Sequence, residues 1–451
     1  MQTNRRNFIA SAASFVAALG WEGCASPPCD GETLPPWKPG LLDLHFIYTG
    51  CGENMFYRLP DGTAILNDVG EFYRPKYLPS VPLLPSPDRL GGDWVRRYLH
   101  RVYPEKTIDY AVFSHWHEDH VGHAAFGRPD SPDGAYRFRI AKDGTKANGF
   151  TCVAEDFKVK RLLDHQYPRR GHYSTQDSSM ELLESWLEKQ GGDAPLCEQF
   201  HVGALDQIKL CHDPDRYRGV FSIRNICADG VVWDGRDGAV DILGPQEQRF
   251  DRKIPQNLLS CGFLIRYGAF SYFSGGDLQS DNVLCEDGRK VPFDSFIGRA
   301  VGPVSLCKMT HHGCSNAMSR EFLEAVKADA YVACMWSPAQ CSPEALDRIA
   351  SVAPKSGGRA LILPQVMVAQ QRKWFVEHGY AISDAPAVHV VVRVELGGSS
   401  YSVYLVDASD ESQHVVAKFD KKWIGWGTDP AKRAFYRAFR DFNPLNDIGI
   451  G

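Results

Sequence analysis

Ser114-His115-Trp116-His117-Glu118-Asp119-His120 constrains this chain more than any other stretch. It puts three imidazoles and the Asp119 carboxylate directly after the apolar run Ile108-Asp109-Tyr110-Ala111-Val112-Phe113, which reads as a buried strand. The histidines are therefore expected at a strand end and in the loop beyond it. Imidazole nitrogen and carboxylate oxygen are ligands of Zn²⁺ and similar first-row metals. His115 and His117, two apart, project together from an extended segment, while Asp119 and His120 lie past the bend and face a second point. That spacing suits two metals rather than one. A polar surface loop rich in histidine is the competing reading, and a full set of four donors at this spacing speaks against it.

Three further stretches repeat the pattern of an apolar run ending in polar chemistry. Ala64-Ile65-Leu66-Asn67-Asp68-Val69-Gly70 closes a hairpin that begins at Asn54 and turns at Pro60-Asp61-Gly62. Phe270-Ser271-Tyr272-Phe273 runs into Ser274-Gly275-Gly276-Asp277, an acid behind glycines that let the backbone approach closely. Val304 to Met309 runs into Thr310-His311-His312-Gly313-Cys314-Ser315-Asn316.

Taken in this order, the His-x-His-x-Asp-His motif, the Gly-Asp at Asp277 and the His-His-Gly at 311–313 resemble the metallo-β-lactamase superfamily. The resemblance covers roughly residues 42 to 365. His-His-Gly, together with Asn257 and Ser260, is similar to the branch that contains the nuclease-like domain of the bacterial DNA-uptake channel. The resemblance implies an α+β chain folded as a four-layer αββα sandwich. It further implies a site for one or two Zn²⁺ ions, with Mn²⁺ as the alternative. Carried over residue by residue, His115 and His117 serve the first metal, and Asp119 and His120 the second. Asp277 bridges the two, His311 ahead of His312 completes the set, and Asp119 is the catalytic position. Asp68 is implied as support, not ligand. The chain departs from the pattern at His123, where the family has a second glycine, and at Cys314, where it has serine. It also lacks a histidine near Gly244-Pro245 for the first metal, and His165, His172, His201 or water are the substitutes.

The activity implied is hydrolysis by a metal-activated water, with a phosphodiester or related small ester favoured. Lactone, thioester and β-lactam hydrolysis are the alternatives within the fold, and a binding protein with a degraded site is the alternative outside catalysis. An electron-transfer di-iron protein is disfavoured because His117 stands where that branch has Glu. A net charge of −5 with no long Lys/Arg block gives no strong nucleic-acid footprint, so a small-molecule substrate is expected. Nothing bears on oligomeric state.

At the N-terminus, Arg5-Arg6 before Phe8 and the uncharged stretch Ala10 to Gly20 resemble a twin-arginine signal over residues 1–20. The expectation is export to the periplasm or beyond, with a lipid anchor at Cys24 the weaker alternative, and no stretch reads as transmembrane. A proline-rich linker is expected over 21–40, then one domain over 41–410 with an insertion of loops at about 173–252, and an aromatic-rich tail over 411–451 packed on it. Thirteen cysteines without Cys-x-x-Cys spacing give no metal knuckle.

Overall fold

The computed structural model of the chain describes residues 25–26 and 31–422, apart from 79, 125–136, 169–176, 245–253, 285–287 and 381–384. The expected signal, Cys24, His172 and everything beyond 422 lie outside the described residues. The result is a mixed α/β fold with two large sheets.

The chain first lays down Leu42–Phe46 (β1), Asn54–Arg58 (β2), Ala64–Val69 (β3), Thr107–Val112 (β4), Lys158–Asp164 (β5) and Leu196–Gln199 (β6). It then builds a second sheet from Phe221–Ala228 (β7), Val231–Trp233 (β8), Ala239–Asp241 (β9), Gly262–Tyr267 (β10), Phe270–Ser274 (β11), Leu306–Lys308 (β12), Ala330–Ala333 (β13) and Leu361–Pro364 (β14). Val388–Val394 (β15), Ser400–Asp407 (β16) and Val415–Lys422 (β17) return to the first sheet. Its ten-stranded order is Ala25–Ser26, β17, β16, β15, β1, β2, β3, β4, β5, β6, and the eight-stranded order is β9, β8, β7, β10, β11, β12, β13, β14. From β3 to β6 and from β11 to β14 the pairings are parallel. Parallel strands in both sheets thus deliver their carboxyl ends, where ligands collect in α/β folds.

Strands such as β2, β4 and β13 are buried almost throughout. Near-continuous burial is what strands covered on both faces require. One core lies between the inner faces of both sheets, joining Leu44, Tyr57, Tyr110 and Val392 to Phe263, Tyr272, Leu306 and Val332. The Tyr57 and Tyr272 hydroxyls hydrogen-bond across it at 2.9 Å. A second core covers the outer face of the first sheet with Gly91–Val102 (α1), Phe150–Ala154 and Asp177–Gln190, through residues such as Val95, Phe150 and Leu183. In α1 the buried Trp94, Val95, Tyr98 and Leu99 recur at helical spacing, and Pro104 follows the stop. The third core covers the outer face of the second sheet with Phe293–Val301, Arg320–Val326, Pro343–Ala350 and Ala369–Glu377, through residues such as Ile297, Phe322, Leu346 and Phe375.

Two expectations are revised. Residues 173–252, expected as inserted loops, supply β6 at one edge of the first sheet and β7 to β9 of the second. Of these, β6, β8 and β9 are three or four residues long and largely uncovered, so their local pattern is weak and sheet pairing decides their state. The beginning of the expected tail, 415–422, is a strand extending the sheet rather than a segment laid on its surface. No described cysteine is in a disulfide, and Cys261 is a buried free thiol. Among the described residues no helix is long and apolar enough to cross a membrane.

Candidate metal centre

The candidate residues meet where strand ends of the two sheets face each other. Beyond β4, Ser114 donates its backbone N–H to Asp68 Oδ1 at 2.8 Å, anchoring the start of the motif to the end of β3. Asp68 sits at φ 58°, a strained setting for a non-glycine residue that turns its carboxylate under the loop. His117 then caps a single helical turn, Glu118–Val121 (α2), which points Asp119 and His120 inward.

His120 Nδ1 donates to the other Asp68 oxygen at 3.0 Å, which fixes the tautomer and leaves Nε2 as the free donor atom. His312 is held in the same way, its Nδ1–H on the Cys334 carbonyl at 2.9 Å. The two Nε2 atoms converge with two carboxylates. His312 Nε2 is 3.1 Å from Asp119 Oδ2 and 3.2 Å from Asp277 Oδ2, and His120 Nε2 is 3.2 Å from Asp277 Oδ2 and 3.7 Å from Asp119 Oδ2. His120 Nε2 is fully buried yet aligned for a hydrogen bond with neither oxygen. Metal bonds of about 2.0–2.1 Å set two ligand atoms about 3 Å apart when they lie roughly at right angles, which is the spacing seen. On the motif's first arm, His115 Nε2 and His117 Nδ1 stand 2.9 Å apart.

Glu53, from the loop between β1 and β2, is the further member of the group. Glu53, His120, Asp277 and His312 are all buried, with ligand atoms within 4.8 Å of one another. Beneath them lies Lys308, fully buried at the end of β12. Its ammonium is 2.5 Å from Glu53 Oε2 and 3.4 Å from Asp277 Oδ1, and it donates to the Gly276 carbonyl at 2.7 Å. On the outer side, Trp336 Nε1–H donates to Asp119 Oδ2 at 2.7 Å.

The electrostatics favour a cation. Burial alone would lower the pKa of His120, but Asp277 and Asp119 outweigh it and hold that imidazole well above its ordinary value. The same balance of burial against Asp277 and Asp119 raises His312 to about 9. Burial would raise Asp119 and Asp277, and the neighbouring imidazoles push both down instead. Glu53 goes the other way, raised by burial against the pull of Lys308. His115 and His117 are lowered chiefly by burial. Four buried carboxylates, Asp68, Asp119, Asp277 and Glu53, thus share one ammonium, so the donor set fits a divalent ion, whose place the two imidazolium protons otherwise take.

Of the positions named from sequence, His115, His117, Asp119, His120 and Asp277 gather at this edge. His311, named ahead of His312, is outside the convergent group. Its Nδ1 faces Asn316 Oδ1 at 2.9 Å and its Nε2 faces Asn257 Nδ2 at 3.3 Å. The cause is backbone: residues 311, 312 and 313 all have positive φ (47°, 54° and 74°), so strand alternation does not decide which ring enters. Glu53, Lys308 and Trp336 went unassigned. Glu53 follows Gly50-Cys51-Gly52, as Asp277 follows Gly275-Gly276, but it lies in a loop ahead of β2 and no apolar strand run leads directly into it. Of the substitutes for a third histidine on the first metal, His165 is buried with Nε2 3.2 Å from Gln256 Oε1, and His201 is exposed.

No family model and no curated protein matches the chain. Among solved structures, a mutant of the CmlA β-hydroxylase is similar over 74% of this chain and 53% of its own length, at 13% identity and a TM-score of 0.34.

Proposed function

We propose that the protein is a metal-dependent hydrolase on a four-layer αββα sandwich of metallo-β-lactamase type, acting on a phosphodiester or related small ester. The layered reading is supported by one core between two sheets and a helix-covered core on each outer face. The observation that carries the activity is the convergence of Asp119, His120, Asp277 and His312, each imidazole oriented by its own hydrogen bond from behind. Nitrogen and carboxylate donors suit Zn²⁺, with Mn²⁺ the alternative, and a further ion on His115 and His117 is supported by their ring nitrogens standing 2.9 Å apart. When bound, such an ion supplies Lewis acidity and a water acidified toward neutral pH. The protein's own part is positional. Asp68 and the Cys334 carbonyl fix the imidazole tautomers, Trp336 fixes one Asp119 oxygen, and the Lys308 ammonium lies against both Asp277 and Glu53 in a dry site.

The test is metal content by mass spectrometry together with hydrolysis of bis-p-nitrophenyl phosphate. The parent is expected to hold one or two ions per chain and to turn over the diester. His120→Ala is expected to lose an ion and on the order of a thousandfold or more in rate, because a ligand removed from the centre costs several kcal/mol of transition-state stabilisation. A metal-replete parent that hydrolyses no phosphodiester, ester, lactone or β-lactam above the metal-free background overturns the assignment.

A further inference from the structure

The segment after β3 leaves the floor of the centre, with Glu71 N–H bonded to the Glu118 carbonyl at 2.9 Å and Phe72 N–H to the Cys51 carbonyl, and runs outward past Trp336. Phe72 meets the Trp336 ring edge-on at 5.1 Å between centroids, and Tyr77 lies 6.1 Å from it at 46°. Trp336 itself stands edge-on to His312 at 6.3 Å and is hydrogen-bonded to Asp119. The three rings are only half-buried, so a wall of aromatic faces begins at two members of the metal centre and reaches solvent. Two cations stand on this wall. The Arg74 guanidinium is 4.8 Å from the Phe72 ring centre and Lys76 Nζ is 5.6 Å from that of Tyr77, and among the described residues neither is paired with a carboxylate.

We propose that this wall is a substrate subsite for a planar ring carried on the phosphoryl group, so that the substrates are anionic phosphodiesters bearing an aryl group or a nucleobase. Aromatic faces accept a ring by offset or edge-to-face stacking, with little demand on its identity. Arg74 and Lys76 supply the sign. They attract an anion and oppose a quaternary ammonium group, the other common guest of aromatic walls. Position supplies the remainder. A phosphorus atom next to the Asp119 and His312 ligand atoms puts one of its ester groups against Trp336.

This inference rests on the hydrolase reading, and a pair of substrates separates the two. Bis-p-nitrophenyl phosphate and methyl p-nitrophenyl phosphate share a charge and a leaving group, and differ in whether the group that stays is a ring. The measurement is the ratio of their kcat/KM values in the metal-loaded parent and in Phe72→Leu and Tyr77→Leu, neither of which touches Asp119. Loss of a stacking partner is expected to lower that ratio about fivefold or more. Arg74→Gln and Lys76→Gln are expected to raise KM for both diesters and to weaken its dependence on salt. Equilibrium dialysis of p-nitrophenyl phosphate against methyl phosphate gives the same comparison without turnover. Hydrolysis with a ratio unmoved by either ring substitution overturns the subsite and leaves the hydrolase reading standing. No hydrolysis, but ring-dependent binding lost in Tyr77→Leu, overturns the hydrolase and leaves the subsite. Absence of both overturns both.

Discussion

His120 and His312 set how the centre answers to pH. A ligating imidazole must be neutral, yet both are held protonated at neutral pH by Asp277 and Asp119, His312 up to about 9. Metal and protons therefore compete, and affinity for Zn²⁺ is expected to rise with pH, with His312 giving up its proton near 9. At pH 7 about two protons should leave per ion bound, readable by calorimetry in buffers of different ionisation enthalpy. A count near zero would remove these imidazoles from the ligand set. In the metal-free protein the sign follows from the raised value: the stability the His312 imidazolium contributes is complete below about 6.5 and is lost as pH rises through about 9. Lys308 makes a different prediction. Its ammonium and the Glu53 carboxyl group are both fully buried 2.5 Å apart, and breaking such a pair from one side costs about 3–5 kcal/mol. Lys308→Met should lower the urea midpoint accordingly, and adding Glu53→Gln should restore most of it. A double variant no more stable than the single one would show that the pair is not what Lys308 stabilises.

The ligands are positioned by the joints between elements. The Asp119 carbonyl accepts the Glu53 N–H at 2.8 Å, wedged between two glycines. A Cβ on Gly70 would come within 1.9 Å of that oxygen, and one on Gly52 within 2.4 Å. Gly70→Ala should therefore displace α2 and lower metal content, whereas Gly192→Ala, with open space around it, should leave metal content at the parent's level. Equal content in the two variants would mean that the joint does not set the site. The strands leading into these joints were legible in the sequence as apolar runs capped by donors, and β3, β4, β11 and β12 lie where the runs predicted. The joints themselves were not. His312 rather than His311 is chosen by three successive positive φ angles, for which consecutive histidines carry no signature. Trp336 reaches Asp119 from a loop more than two hundred residues away, a contact that only the tertiary fold creates. The strands within 196–241 owe their state to their neighbours in the sheet, which local periodicity does not record.

Across the whole molecule, the first sheet carries a buried polar layer remote in role from the metal centre. Asp43 on β1 pairs in register with Arg393 on β15 through two hydrogen bonds of 2.8 and 2.6 Å. His45 bonds the Tyr98 hydroxyl of α1 at 2.9 Å, and His389 Nδ1 accepts the Tyr48 N–H at 3.0 Å. Burial, aided by nearby arginines, holds both imidazoles neutral, with pKa values of about 3. The unfolded chain takes up protons on these histidines near 6.5, so stability is expected to fall as pH drops below that value and to go on falling toward 3. At about 1.4 kcal/mol per pH unit, each histidine costs about 2 kcal/mol between pH 7 and pH 5. His45→Asn and His389→Asn retain a polar group near Nδ1 but do not titrate there. Urea unfolding at pH 7, 6 and 5, with chelator present so that pH-dependent loss of metal does not contribute, should show the double variant losing less stability than the parent. A double variant that loses as much would place the acid sensitivity outside this layer.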